Sequence, residues 1–280
     1  MENAASANGY ISERIPVPPE WDEVFAPFYY ALNKQQVSLR KKLLPTFQTI
    51  LVFNFGAPIL LYPDGDDKVL TLNKTVVLGP LKKAFEYELP PGGEMLVANF
   101  KWDAFYRFFG TALQPYHDHL QHPDALLQRK HCFSGLWEAL KVLPQMEQRV
   151  EKVLDFAGVY LRQREAASEA LIDNNSSTDV LSPVKTIAGK KGQTERNIQL
   201  NYKKYLGFSA KEMSRYQRFQ QAAALALQLF ESRGAVDWFE VIYQCGYYDQ
   251  SHLIHDFKHF LDLTPAQFIK FQSDICIAGS

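Results

Sequence analysis

Between Leu43 and Phe100 apolar residues come in short clusters broken by glycine, proline, asparagine or lysine, which is how strands read in a sequence. The predicted strands are Phe47 to Phe55, Pro58 to Tyr62, Val69 to Leu72, Thr75 to Leu78, Phe85 to Leu89 and Met95 to Phe100. A turn at Pro63-Asp64-Gly65 separates two of them, and short strands at this spacing predict a small barrel or sandwich. Residues 1–42, with Pro16, Pro18 and Pro19 ahead of Trp21 to Phe28, show no clean periodicity. After Phe100 the period lengthens to that of helix. Asp103 is a candidate cap for a short helix through Phe109, which Gly110 would stop. A longer helix is predicted from near Pro144. Along it Leu143, Met146, Val150, Val153, Ala157 and Tyr160 fall at alternating spacings of three and four. Such a stripe suits an amphipathic helix lying on its own domain or a dimerisation seam, and both readings stay open.

Asp173 to Asp179 contains no apolar residue and reads as a loop. From Ile187 a tighter grammar begins. Ala188 is small enough for two helices to approach, and Gly192 suits the turn between them. Thr194 caps a second helix whose Ile198 and Tyr202 point back into a core. This is a helix-turn-helix pattern, and it recurs about fifty residues later in Val241, Ile242, Gly246, Asp249, Leu253 and Phe257. The second copy sits in Gly246-Tyr247-Tyr248-Asp249-Gln250-Ser251-His252-Leu253, followed by Phe257-Lys258-His259-Phe260 and Leu263-Thr264-Pro265-Ala266-Gln267-Phe268. Between the copies stand Leu206-Gly207-Phe208-Ser209, then Arg215, Arg218, Phe219 and Ala222.

This string resembles the double helix-turn-helix DNA-binding domain of the AraC/XylS family over roughly residues 164–280. The resemblance implies an α+β chain: an N-terminal small β-barrel-like domain with helices, then an all-α domain of two helix-turn-helix units joined by a long helix. It implies one more helix ahead of the first motif, about Ala166 to Ile172, so the boundary falls near Gln163. Residues 1–163 would be a sensor domain, with 144–163 as linker or dimerisation helix. The family reads successive major grooves, and a helix fits that groove. Carried over by position, the DNA-facing residues are Thr194, Arg196, Asn197, Gln199 and Lys203 in the first unit. In the second they are Gln250, Ser251, Ile254 and His255. Arg196 and Gln199 take base-reading positions, since Arg matches guanine edges and Gln adenine edges. Lys190, Lys191, Lys204, Arg215, Arg218 and Lys258 are candidate phosphate contacts, with Arg218 equally a structural partner for an acid. Four positions depart from the family pattern. Leu200 and His255 stand where Arg is common, Ala210 where Pro is common, and Ile242 where a small Ala is usual.

Charge sharpens this picture. Nine basic residues face two acidic ones from Lys185 to Arg218, whereas from Phe219 to the end three face seven. The basic footprint a phosphate-tracking surface needs is therefore in the first unit. No run approaches the ~20 apolar residues of a membrane span, and residues 1–7 show no signal-peptide pattern. Cys132, Cys245 and Cys276 form neither a disulfide framework nor a zinc spacing, which fits a cytoplasmic protein. His117, His119 and His122, with Asp118 and His131, are the only metal-like cluster and read as solvated histidines without metal. Phosphate-loop, metalloprotease and nucleophile-elbow motifs are missing, and no cofactor is expected. The expectation is thus a DNA-binding regulator and not an enzyme: an activator forming a weak homodimer, with RNA polymerase and a small-molecule effector of unknown identity as further partners. Two rivals remain, a degenerate regulator acting through protein contacts and a DNA-repair or base-modifying enzyme that uses the module for targeting.

Overall fold

A computed structural model of the chain describes residues 9–111, 121–127, 132–175, 183–270 and 275–276. Strands come first: β1 (Tyr10–Ile15), β2 (Phe28–Asn33), β3 (Leu39–Leu43), β4 (Thr49–Asn54), β5 (Ile59–Asp66), β6 (Leu70–Leu72), β7 (Thr75–Leu78), β8 (Phe85–Leu89) and β9 (Glu94–Phe100). They build two sheets, ordered β1-β2-β9-β4-β7 and β10-β3-β8-β5-β6, where β10 is Ile275–Cys276 from the far end of the chain. The sheets stack with separate edges and do not close into a barrel. Alternation explains the stacking. Ile50 and Val52 of β4, Val76 and Leu78 of β7, and Met95 and Val97 of β9 meet Ile59, Leu61, Tyr87 and Leu89 between the sheets. The intervening Leu51, Phe53, Val77, Leu96 and Ala98 face the other way, onto helices. A strand buried on both faces reads as a continuous apolar run, which is what β4 shows.

Helices α1 (Ala104–Phe109), α2 (Pro123–Leu127), α3 (Cys132–Lys141) and α4 (Met146–Tyr160) follow. The stripe on α4 is used inside the chain. Val150, Val153 and Ala157 are buried in one cluster with Phe108, Phe133, Leu136 and Leu140, and Leu143, Met146 and Tyr160 pack on its edge. That face packs on the chain's own core. Asp103 precedes α1 but makes no side-chain cap, contrary to expectation. Its carboxylate is instead buried, accepting from Arg164 Nε at 3.2 Å and Ser168 Oγ at 2.6 Å.

The helical part comprises α5 (Ala166–Asn175), α6 (Pro183–Lys191), α7 (Glu195–Asn201), α8 (Ala210–Arg233), α9 (Trp238–Gln244), α10 (Gln250–Leu261) and α11 (Pro265–Lys270). Asp173 to Asn175, expected in a loop, still belongs to α5. One core joins these helices, with Leu171, Ile187, Ile198, Tyr202, Tyr216, Phe219, Val241, Leu253, Phe257 and Phe260 inside it. Phe47 also belongs to that core, although it comes from the sheet part. Its ring stacks on Tyr216 at 4.3 Å and 16°, and meets Phe208 edge-on at 5.3 Å. Tyr216 Oη donates to Pro45 O at 2.6 Å, Ala84 N donates to Phe260 O at 2.7 Å, and Lys82 pairs with Glu212 at 2.8 Å. These contacts fix α8 and α10 against the sheets.

Candidate nucleic-acid interface

Each helix-turn-helix forms for reasons visible in its residues. Between α6 and α7 the backbone at Gly192 has φ 61°, and between α9 and α10 it has φ 69° at Gly246. That left-handed region is cheap only for glycine, so both turns are set by residue type. Thr194 Oγ1 then accepts from Asn197 N at 3.2 Å, and Asp249 Oδ1 accepts from His252 N at 2.7 Å. Both second helices therefore begin on a side-chain cap, which supplies a partner for one otherwise orphan N–H. Ile198 and Tyr202 anchor α7 in the core, and Leu253 and Phe257 anchor α10. The long α8 between the units opens with a capping box. Ser209 Oγ accepts from Glu212 N at 3.2 Å, while Glu212 Oε2 accepts from Ser209 N at 2.7 Å.

The outward faces differ. On α7, Glu195, Arg196, Asn197, Gln199 and Leu200 are exposed, as is Lys203 in the π-type turn that continues the helix. Lys190 and Lys191 stand exposed at the end of α6. Asn197 Nδ2 donates to Gln193 Oε1 at 3.3 Å. Lys204 is exposed, but its ammonium is engaged within the chain. Its Nζ donates to Tyr205 Oη at 2.8 Å and lies 3.5 Å from Glu165, and the tyrosine hydroxyl raises the ammonium pKa above its ordinary value.

On α10, Gln250, Ser251, His255 and Lys258 are exposed and Ile254 is half-buried. Beneath them lies an ionic cluster that sequence reading assigned only in outline. Asp256 is fully buried. It accepts from Arg215 Nε at 2.6 Å and from Arg218 Nη2 at 3.1 Å, both on α8. The same guanidinium groups reach His255 Nδ1 at 3.1 Å and His252 Nε2 at 3.0 Å. An arginine only donates, so in these contacts the ring nitrogens are the acceptors. Arg215 and Arg218 thus neutralise a buried carboxylate and clamp α10 to α8. The available signal was an acid on the second helix of the second motif and two arginines one turn apart on the connecting helix.

A cleft of about 380 Å³ lies where the sheets meet α8 and α10. Phe47, Leu61, Leu78, Leu81, Phe85 and Phe260 form its apolar part, with Lys82, Lys83, Arg215 and His259 around it. Burial holds the His259 pKa below its ordinary value, with Arg215 and Lys83 adding to the effect. Burial raises Glu212, but Lys82 and the two Ser209 donors outweigh it and hold that carboxyl below the usual range. Of the histidine cluster, His117, Asp118, His119 and His131 lie outside the described residues. His122 Nδ1 accepts from Asp124 N at 3.3 Å. Among the described residues no group of three metal-binding side chains converges, and no helix is long and apolar enough to cross a membrane. Cys245 is half-buried, and burial raises its thiol pKa, the reverse of an activated nucleophile.

No family model and no curated protein matches the chain. Among solved structures it is similar to ToxT of Vibrio cholerae, an AraC/XylS family regulator. An apo ToxT variant from strain SCE256 shares 10% identity, covering 95% of this chain and 98% of that one, with a TM-score of 0.40. ToxT of strain O395 bound to (E)-4-(8-methylnaphthalen-1-yl)but-3-enoic acid shares 12% over 94% and 99%, with a TM-score of 0.41. Wild-type ToxT with bound unsaturated fatty acid shares 13% over 86% and 94%, with a TM-score of 0.40.

Proposed function

We propose that this chain is an AraC/XylS-type transcription regulator that binds duplex DNA by presenting α7 and α10 to successive major-groove faces. The observation that carries this reading is the pair of capped helices flanking α8, each anchored by apolar residues on one face and polar on the other. Residues 164–280 form the DNA-binding part and residues 1–163 the regulatory part. Arg196 and Gln199 read base edges, Gln250, Ser251 and His255 serve the second groove, and Lys190, Lys191, Lys203 and Lys258 hold phosphates. Arg215 and Arg218 act through Asp256, by fixing the pose of α10. The test is filter binding of the full chain to genomic duplex fragments across a salt series. Affinity should fall steeply, by a slope of about −0.9 per phosphate neutralised. No retained DNA at low salt overturns the reading.

The regulatory signal is an amphipathic anion in the cleft between sheets and helices. Its apolar wall accepts a hydrocarbon body and its lysines a carboxylate, as in the unsaturated fatty acid that ToxT binds. Occupation there bears directly on the Lys82–Glu212 pair that ties α8 to the sheets. Titration with an unsaturated fatty acid should raise the melting temperature of the full chain, and Lys83→Ala should reduce the shift. No shift at saturating, sub-micellar fatty acid rules out this effector class.

A further inference from the structure

Leu200 is 57% exposed on α7, and among described residues 183–209 it is the large apolar side chain left most open to solvent. A single exposed leucine is ordinary on a protein surface. Its place on the helix is what sets this one apart. At 3.6 residues per turn, Arg196, Gln199, Leu200 and Lys203 share one stripe, and Ile198 and Tyr202 occupy the opposite, buried side. Leu200 lies one turn beyond Arg196 and one turn before Lys203, at the centre of the outward face. Arg196, Gln199 and Lys203 have no ion-pair or hydrogen-bond partner for their side chains among the described residues. If that cationic face enters a major groove, Leu200 enters with it and is desolvated against base edges.

The major groove is lined by hydrogen-bond donors and acceptors with one apolar exception, the C5-methyl group of thymine. Leucine has no polar atom with which to satisfy an N7, O6, O4 or amino group. Placed against those edges it would strip water from them and give nothing back. Placed against a methyl group it buries apolar surface on both sides. Charge brings the partner: Lys190, Lys191, Arg196 and Lys203 stand exposed in the same unit.

We infer that Leu200 is a specificity-determining residue that selects a thymine, through its methyl group, at the base pair next to the one contacted by Arg196. This rests on the DNA-binding reading above and adds a defined chemical preference to it. The arginine that the resemblance leads one to expect at this position would select guanine, so the leucine changes which operator the first unit accepts.

The experiment begins with selection of a preferred site from a random duplex library by the full chain. Each thymine in the selected site is then replaced singly by deoxyuridine, which removes the methyl group and leaves every hydrogen bond in place. At one thymine, on the side of the site bound by the first unit, the wild-type protein should lose about three- to tenfold in affinity. Leu200→Ala should bind the thymine site more weakly and show no further loss with deoxyuridine there. Leu200→Arg, selected anew, should change the preference at that base pair from thymine to guanine. Both variants alter an exposed side chain, and an unchanged thermal melt confirms that the fold is kept. A selected site insensitive to every deoxyuridine substitution overturns the inference. So does a loss that persists undiminished in Leu200→Ala, or enrichment of no site despite salt-sensitive binding. Absence of any DNA binding instead removes the regulator reading itself.

Discussion

The two helix-turn-helix units share one grammar and use their charges in opposite ways. In the first, Lys190, Lys191, Arg196 and Lys203 point outward, and α7 is a short helix held by a threonine cap and a few core side chains. In the second, Arg215 and Arg218 point inward to Asp256, and the twelve-residue α10 is bolted to α8 and, through Phe260, to the sheets. Cations directed at solvent attract phosphate, whereas cations directed at a buried carboxylate fix geometry. On the DNA-binding reading proposed above, the difference separates affinity from pose: the first unit would supply the attraction and the second would set the angle at which the pair meets DNA. It also shows why a count of arginines along a sequence overstates the phosphate-binding surface.

The contrast breaks most readily at Asp256. Asp256→Ala leaves two arginines without their counter-charge, so urea unfolding should show a loss of about 3–5 kcal/mol. Thr194→Ala, which removes the cap of α7, should cost only about 1 kcal/mol. Equal losses would mean that both units are held alike. On DNA the order reverses. Arg196→Ala should cost about 1–3 kcal/mol on the selected site and little on random duplex, with a smaller loss for His255→Ala. Footprint titrations of the two variants compare them directly. Replacing both Lys190 and Lys191 by alanine should flatten the salt slope by about 1.8, against about 0.9 for Lys258→Ala, as counterion release requires. The smallest effect expected is one of pH. The folded-state pKa of His259 is depressed, so its contribution is intact above the ordinary histidine value and is lost as pH falls through the folded one. Acidification from pH 7 to 5 should lower the melting temperature of the wild type more than that of His259→Phe. An identical pH dependence would show that burial at this position carries no penalty for the proton.

The parts of this molecule legible in its sequence are those where each residue does a local job. Gly246 sets a turn, Asp249 caps a helix one residue later, and Leu253 and Phe257 anchor it, so the motif and the element coincide. Strands β7 and β8 were legible to the residue, β7 as a short buried run between Lys74 and Gly79 and β8 by its alternation. Strands β1 and β3 were not. Their sequences, Tyr-Ile-Ser-Glu-Arg-Ile and Leu-Arg-Lys-Lys-Leu, carry charge near the edges of sheets, where one side of the strand meets solvent or a side-chain pair such as Arg40–Glu86. The stripe on α4 was legible as a stripe but not as to what it covers, since periodicity does not distinguish Phe133 of the same chain from a neighbouring molecule. Asp256 was opaque for the same reason. Its two partners lie 41 and 38 residues away, and nothing local marks it as buried.

Phe47 gives the two halves of the molecule a common fate on melting. Among the described residues it is the one fully packed ring in the helical core contributed by the sheet part, stacked on Tyr216 and edge-on to Phe208 and Phe260. If the sheets melt first, the helices are left with a vacancy the size of a phenyl group, at a cost of about 3–5 kcal/mol. That is a large share of what holds a domain of this size together. Melting of the sheets would therefore weaken the helices as well, which couples the unfolding of the two halves.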